Sequence, residues 1–314
     1  MKQKYLPEGS KLYLEENLRA VANLDGLRTA LRSGAVLEGL VVSCDPAHNL
    51  IVELPCGRAV IPRTECALGI AEGTTREIAI LSRVGRPVAF CVQEVCADRI
   101  VLSRRAAQAQ MLDWAIQTLR PGDVIRAQAT HLEPFGVFVD IGCGVTSFIG
   151  IEHLSVSRIF HPSERFSVGQ PLYAAVLGVD PERGRVALTH RELLGTWEEN
   201  AALFHAGETV PGVVRSLESY GIFVELAPNL SGLAELKKGV TGGDRVSVYI
   251  KSIVPERMKI KLNIIDVLKD RPPFHPPIRY YITDGPITEW VYTPEACANK
   301  YVATVFDGLS AGDS

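Results

Sequence analysis

The chain has 314 residues, 46% of them hydrophobic and 22% charged, with a formal net charge of −3. That composition suits two or three packed domains; it excludes a disordered chain and the strongly basic footprint of a duplex-DNA binder, but leaves single-strand binding open. No stretch reaches the roughly 18 apolar residues of a membrane span and the first ten residues hold no signal-peptide core, so a soluble cytoplasmic protein is expected. The cysteines number seven and form no C-x-x-C pair, Cys91 and Cys96 being the closest, so neither a zinc ribbon nor a redox motif is supported. No metal or cofactor is expected.

In chain order, residues 1–33 carry Leu14, Leu18, Val21, Leu24 and Leu27 at helical spacing, which predicts an N-terminal helix. Residues 34–105 hold the first and weakest of three copies of one pattern, opened by Gly34 and closed by Ile100-Val-Leu-Ser-Arg-Arg105. Residues 106–118 are full of good helix formers and predict a linker helix. The second copy, 119–191, and the third, 206–265, align without a gap over their first halves: Gly122 falls on Gly207, and Phe135-Gly-Val-Phe-Val139 on Tyr220-Gly-Ile-Phe-Val224. A second linker helix is predicted over 192–205, around Trp197; Trp114 and Trp197 are expected to pack these helices against the neighbouring barrels. Short Val- and Ile-rich runs punctuated by Gly, Pro and Asp read as strands: Val36–Ser43, Ile78–Leu81, Val88–Val95, Val137–Ile141, Tyr173–Val179, Ile222–Leu226 and Val246–Ile253. The extension 266–314 begins with the Pro-rich run 271–277; Tyr280–Thr283 and Trp290–Thr293 flank Asp284-Gly285-Pro286 as a candidate hairpin. This extension reads either as an ordered β-element packed on the third copy or as a partner-binding surface.

The second copy contains Phe135-Gly-Val-Phe-Val-Asp140, Arg158-Ile-Phe-His-Pro-Ser-Glu164, Val168-Gly-Gln170 and Asp180-Pro-Glu-Arg-Gly-Arg185 in fixed order. These motifs resemble the S1-type RNA-binding domain, and over about residues 34–265 the chain is similar to short, three-domain members of the ribosomal protein S1 family. The resemblance implies an all-β fold: three tandem OB-fold, five-stranded barrels joined by short α-helices. It also implies single-stranded RNA binding in association with the small ribosomal subunit, with mRNA captured for translation. In one respect the chain departs from the family: the histidine usual on the RNA face is replaced by Gly150 in the second copy and Glu235 in the third.

Single-stranded RNA is held by aromatic rings stacked on bases and cations beside phosphates. Phe135 with Phe138, and Tyr220 with Phe223, are the candidate stacking pairs. Residues three apart point to opposite faces of a regular strand, so a bulge or bend at Gly136 and Gly221 is expected to bring each pair to one face. The resemblance puts Arg185 beside the first pair and Lys259 beside the second; Lys251, Lys259 and Lys261 alternate so as to share a face. Burial of Phe138 in the barrel, and a solubilising role for the lysines, remain the alternatives. The first copy has His48 and Ile51 in place of the rings, so it is expected to dock protein, as the leading domains of the resembled family do. No catalytic motif is present. The competing readings are an accessory RNA-binding factor in RNA decay or transcription, and a protein-interaction scaffold without RNA affinity.

Overall fold

Each glycine-bounded copy closes on itself. In the computed structural model, which describes residues 3–268 and 274–306, three closed five-stranded barrels follow one another along the chain. The first is β1 (Val36–Cys44), β2 (Leu50–Leu54), β3 (Gly57–Ile61), β4 (Pro87–Val95) and β5 (Ile100–Ser103). The second is β6 (Val124–Glu133), β7 (Gly136–Asp140), β8 (Thr146–Gly150), β9 (Pro171–Asp180) and β10 (Arg185–Thr189). The third is β11 (Thr209–Glu218), β12 (Gly221–Ala227), β13 (Leu230–Ala234), β14 (Arg245–Val254) and β15 (Lys259–Val267). In every barrel the third strand runs parallel to the fifth and the remaining neighbours are antiparallel. Alternate residues fill the interior, as in β7, where Val137 and Val139 are buried and Phe138 points out. The first strand of all three barrels slips register at the same place, between Val41 and Ser43, Ala129 and His131, and Val214 and Ser216.

Three local expectations are corrected. The N-terminal helix is two helices, α1 (Glu15–Val21) and α2 (Leu24–Ser33), because the Asn23 side chain accepts the Gly26 N–H at 2.8 Å and starts a new helix. Ile78–Leu81, read as a strand, is the short helix α3 in the β3–β4 crossover; four apolar residues do not separate the two periodicities, and the barrel already has its five strands. Tyr280–Thr283 and Trp290–Thr293 do not pair. Instead β16 (Glu289–Val291) pairs with β17 (Ala303–Val305), and the turn at Asp284–Pro286 leads Ile287 onto Gly122 of barrel 2. Arg271–Pro273 of the Pro-rich run lie outside the described residues.

The barrels are joined by buried polar contacts as well as helices. Between barrels 1 and 2 lies α4 (Arg104–Thr118), capped by Ser103, with Ala107, Met111 and Ala115 packed into the barrel 2 cluster and Trp114 against it. The N-terminal segment crosses the same junction. Gln3 bonds both backbone groups of Arg126, the Glu8 carboxylate accepts from Arg104 at 2.6 and 3.0 Å, and the Glu8 N–H donates to Asp140 at 2.7 Å. Between barrels 2 and 3, the β8–β9 connection of barrel 2 lies on the outside of β11–β13. Arg165 from that connection and Arg215 of β11 both bond Glu225 of β12, and all three are buried. Such a cluster holds only while every member is present, since an orphaned buried charge costs about 3–5 kcal/mol. α5 (Trp197–Ala201) carries Trp197 into the barrel 3 cluster, together with Trp290, Tyr292 and Phe306 of the C-terminal extension. Tyr280 of the same extension reaches barrel 2, where its hydroxyl bonds His190 at 3.0 Å.

Candidate nucleic-acid interface

The strand registers align the outward-facing residues of the three barrels. In barrel 2, His131, Phe138, Phe148 and Ala187 are successive cross-strand partners on β6, β7, β8 and β10. In barrel 3 the same row is Ser216, Phe223, Leu233 and Lys261, and in barrel 1 it is Ser43, Ile51, Val60 and Val101. The row is therefore aromatic in barrel 2, mixed aromatic and cationic in barrel 3, and without a ring in barrel 1.

Phe135 and Phe138 share a face, but not through a bulge at Gly136. Phe135 stands in the two-residue turn before β7, paired across at Glu133–Gly136, and its carbonyl accepts the Ile151 N–H at 2.9 Å. Strand alternation therefore does not apply to it. The register slip lies on the partner strand β6, at Thr130. Glycine is required at 136 for close approach: a Cβ there would sit 2.3 Å from the Phe148 ring and 2.4 Å from the Ile149 carbonyl. Gly221 is alike and more constrained, with φ +156° and an added Cβ only 2.7 Å from the Ala234 carbonyl.

The rings form a cluster. Phe135, 58% exposed, lies 6.3 Å from Phe138 and 5.6 Å from Phe148, and Phe138 and Phe148 are 5.1 Å apart. His131 adds a fourth ring 6.3 Å from Phe138, its Nε2 bonded to Glu133 at 2.7 Å. In barrel 3, Tyr220, 67% exposed, meets Phe223 edge-on at 6.2 Å. Phe138, Phe148 and Phe223 are half-buried. Isolated aromatic pairs prefer these tilted and T-shaped contacts, which leave ring faces open to a planar partner.

The cations are placed unequally. Arg185 is exposed and makes no side-chain ion pair among the described residues; it stands two residues before Ala187, the partner of Phe148. Lys259 holds the matching position in barrel 3, and Lys261, directly partnered with Leu233, is nearer the rings. Lys251 is exposed at the β14 slip but bonds Glu235 at 2.7 Å, so its charge is already answered; the Lys251 ammonium in turn holds the Glu235 carboxyl below its ordinary value. Asp180 is a turn acid that accepts the Arg183 N–H at 3.0 Å. In barrel 1, His48 takes a left-handed conformation, φ 61°, and its Nδ1 bonds Glu77 at 2.9 Å. Phe148 and His131 were not singled out by the repeat: the third copy has Leu233 and Ser216 where the second has Phe148 and His131. The signal that finds them is strand register, since each lies opposite a ring already in view.

Residues 118–191 match the family model described as S1 RNA binding domain. Among curated proteins, the chain is 31% identical over 198 residues to "Small ribosomal subunit protein bS1" of Staphylococcus aureus (strain N315), covering 57% of this chain and 50% of the relative. It is 24% identical over 279 residues to the protein of the same name from Rhizobium meliloti (strain 1021), covering 83% of this chain and 48% of the relative. The chain thus spans about half the length of the curated relatives it matches. Among solved structures, a multidomain protein with nucleic acid binding domains from Streptococcus pneumoniae matches at TM-score 0.26 and 16% identity, covering 76% of this chain and 75% of that one.

Proposed function

We propose, from the S1 RNA binding domain matched over residues 118–191, that barrels 2 and 3 bind single-stranded RNA and that the protein works beside the small ribosomal subunit, holding mRNA for translation. The observation that carries this reading is the shared outer row: exposed Phe135 beside half-buried Phe138 and Phe148 in one barrel, and exposed Tyr220 beside half-buried Phe223 in the next, with Phe138 and Phe223 in the same register and Arg185 and Lys259 at matching places. Bases stack on such rings whatever their identity, and two linked barrels raise each other's effective concentration on one strand.

Barrel 1 takes the protein-docking part. Its row lacks rings, and it exposes apolar side chains at Leu40, Val42, Ile78, Leu81 and Val84, with Ile78 63% exposed. Exposed apolar side chains of this kind suit a protein partner. The relatives' printed name, a small ribosomal subunit protein, supports the same association.

The test is a titration of a pyrimidine-rich oligonucleotide at several salt concentrations. Affinity should fall as salt rises, with a logarithmic slope near −0.7 per phosphate neutralised. Phe135→Ala together with Tyr220→Ala should weaken binding by about 2–6 kcal/mol. An unchanged dissociation constant would remove these rings from the interface, and absence of binding by the unaltered chain would favour the scaffold reading.

A further inference from the structure

We propose that the RNA track of barrel 3 continues onto a subsite supplied by barrel 2, formed by Arg158 and Phe160 in the β8–β9 connection. This rests on the RNA-binding reading above and extends it to residues outside both aromatic rows. The connection is docked on the same outer surface that carries Phe223. The Ser157 N–H donates to the Pro228 carbonyl at 3.0 Å, and the Ser157 hydroxyl bonds the Ser231 hydroxyl at 2.8 Å. Ser231 is the β13 partner of Glu225, two residues from Leu233 and therefore on the face of the Phe223–Leu233–Lys261 row.

Phe160 is held in place and yet open. Its N–H and that of His161 donate to Glu164 at 2.7 and 3.1 Å, and the other Glu164 oxygen is ion-paired with Arg215 of barrel 3. Burial pushes the Glu164 carboxyl up, but the Arg215 guanidinium and the two backbone donors hold it below its ordinary value, so the clamp is ionised at neutral pH. The Phe160 ring lies over Gly242 of the β13–β14 connection, where an added Cβ would come within 3.1 Å of it. It nevertheless remains 60% exposed. A large ring whose backbone is fixed by three polar contacts at a domain junction, and left in water, contributes little burial to the fold. Its rigid open face suits a flat partner.

Arg158, two residues before it, is exposed and has no side-chain partner among the described residues. Barrel 3 presents fewer rings than barrel 2, with Leu233 where Phe148 stands. A strand crossing Tyr220 and Phe223 toward the junction meets another ring and a cation there. The ligand is the next one or two nucleotides of the same single strand: one base on Phe160 and one phosphate beside Arg158.

The experiment compares Phe160→Ala, Phe160→Trp and Arg158→Ala in the full chain on two oligouridylates, one of about four nucleotides and one of about sixteen. On the long strand, Phe160→Ala should weaken binding roughly five- to a hundredfold while Phe160→Trp retains it. Arg158→Ala should lower the salt slope by about 0.7. On the short strand, which a single barrel can satisfy, all four proteins should bind alike. Wild-type binding with equal long-strand affinity in Phe160→Ala overturns the subsite and leaves the general RNA reading intact. No wild-type binding overturns both. Equal losses on the short and long strands also overturn the subsite, by showing damage to the barrel itself; the thermal midpoint of Phe160→Ala, expected to match wild type, is the independent check.

Discussion

Where barrel 2 sets Phe148 against Phe135 and Phe138, barrel 3 has Leu233; where barrel 2 has Ala187 on the adjoining strand, barrel 3 has Lys261. The backbones match residue for residue through this row, including the slip in the first strand. One scaffold thus carries two rows, richer in rings in the second barrel and in lysines in the third, which on the proposed reading weights the second to stacking and the third to charge. Stacking itself depends little on salt, whereas lysine contacts to phosphate loosen as counterions compete, so the barrel 3 face is expected to show the steeper salt dependence. Barrel 1 extends the series to a row with neither.

The two faces can be compared as neighbours only while their junction holds, and the largest effect should come from breaking it. Glu225→Ala leaves Arg165 buried without its carboxylate and Arg215 with Glu164 alone, and should destabilise the chain by about 3–5 kcal/mol in urea unfolding. A loss below about 1 kcal/mol would mean the barrels are joined mainly by apolar packing.

Acid should loosen the same region by a second route. Burial pushes His190 down to about 4, and the neutral ring bonds the Leu154 carbonyl through Nδ1 at 2.7 Å and Tyr280 through Nε2. The unfolded chain takes up that proton near pH 6.5 and the folded chain only near 4. Stability from this group is therefore complete above 6.5 and lost as pH falls between the two, on the order of 3 kcal/mol in all. Glu38 and Asp140, both raised to about 7 by burial, act in the opposite sense, favouring the folded state in acid. The measurement is therefore the difference between wild type and His190→Asn in urea unfolding at pH 7 and pH 5; parallel shifts in the two proteins would refute the assignment.

The smallest effects sharpen the contrast between the faces themselves. Phe148→Ala should weaken RNA binding by about 1–3 kcal/mol and leave the salt slope alone. Lys259→Ala with Lys261→Ala should reduce the slope by about 1.4 and cost less affinity at high salt. If both variants alter the slope equally, the division between stacking and charge is wrong.

Three barrels were legible in the sequence because a closed barrel repeats its glycines, its outward ring and its inward valines at fixed spacing. The second copy could be matched to a family because its turns keep their residue types. What escaped was contact between elements distant in sequence. Phe148 belongs to the cluster through β8 pairing with β7, which no local spacing announces, and Ile78–Leu81 is too short for its period to speak. The expected bend at Gly136 misplaced the cause: Phe135 sits in a turn, and the glycine is there because Phe148 crosses over it. Lys251 looked like a free cation because Glu235 approaches it only in the folded barrel. The C-terminal aromatics read as a hairpin because the segments that bind them, at Gly122, Leu193 and Asn229, lie far upstream.

That upstream docking imposes an order on assembly. Tyr280 follows its partner His190 by 90 residues, and Tyr292 reaches back to the Asn229 carbonyl. During synthesis the first two barrels emerge and close before these tyrosines exist, since domains generally fold in turn from the amino end. The clasp across barrels 2 and 3 is accordingly added last, to a junction that the Arg165–Glu225–Arg215 cluster already holds, and a nascent chain stalled before residue 280 would lack both that clasp and the Trp290, Tyr292 and Phe306 side chains packed into the barrel 3 cluster.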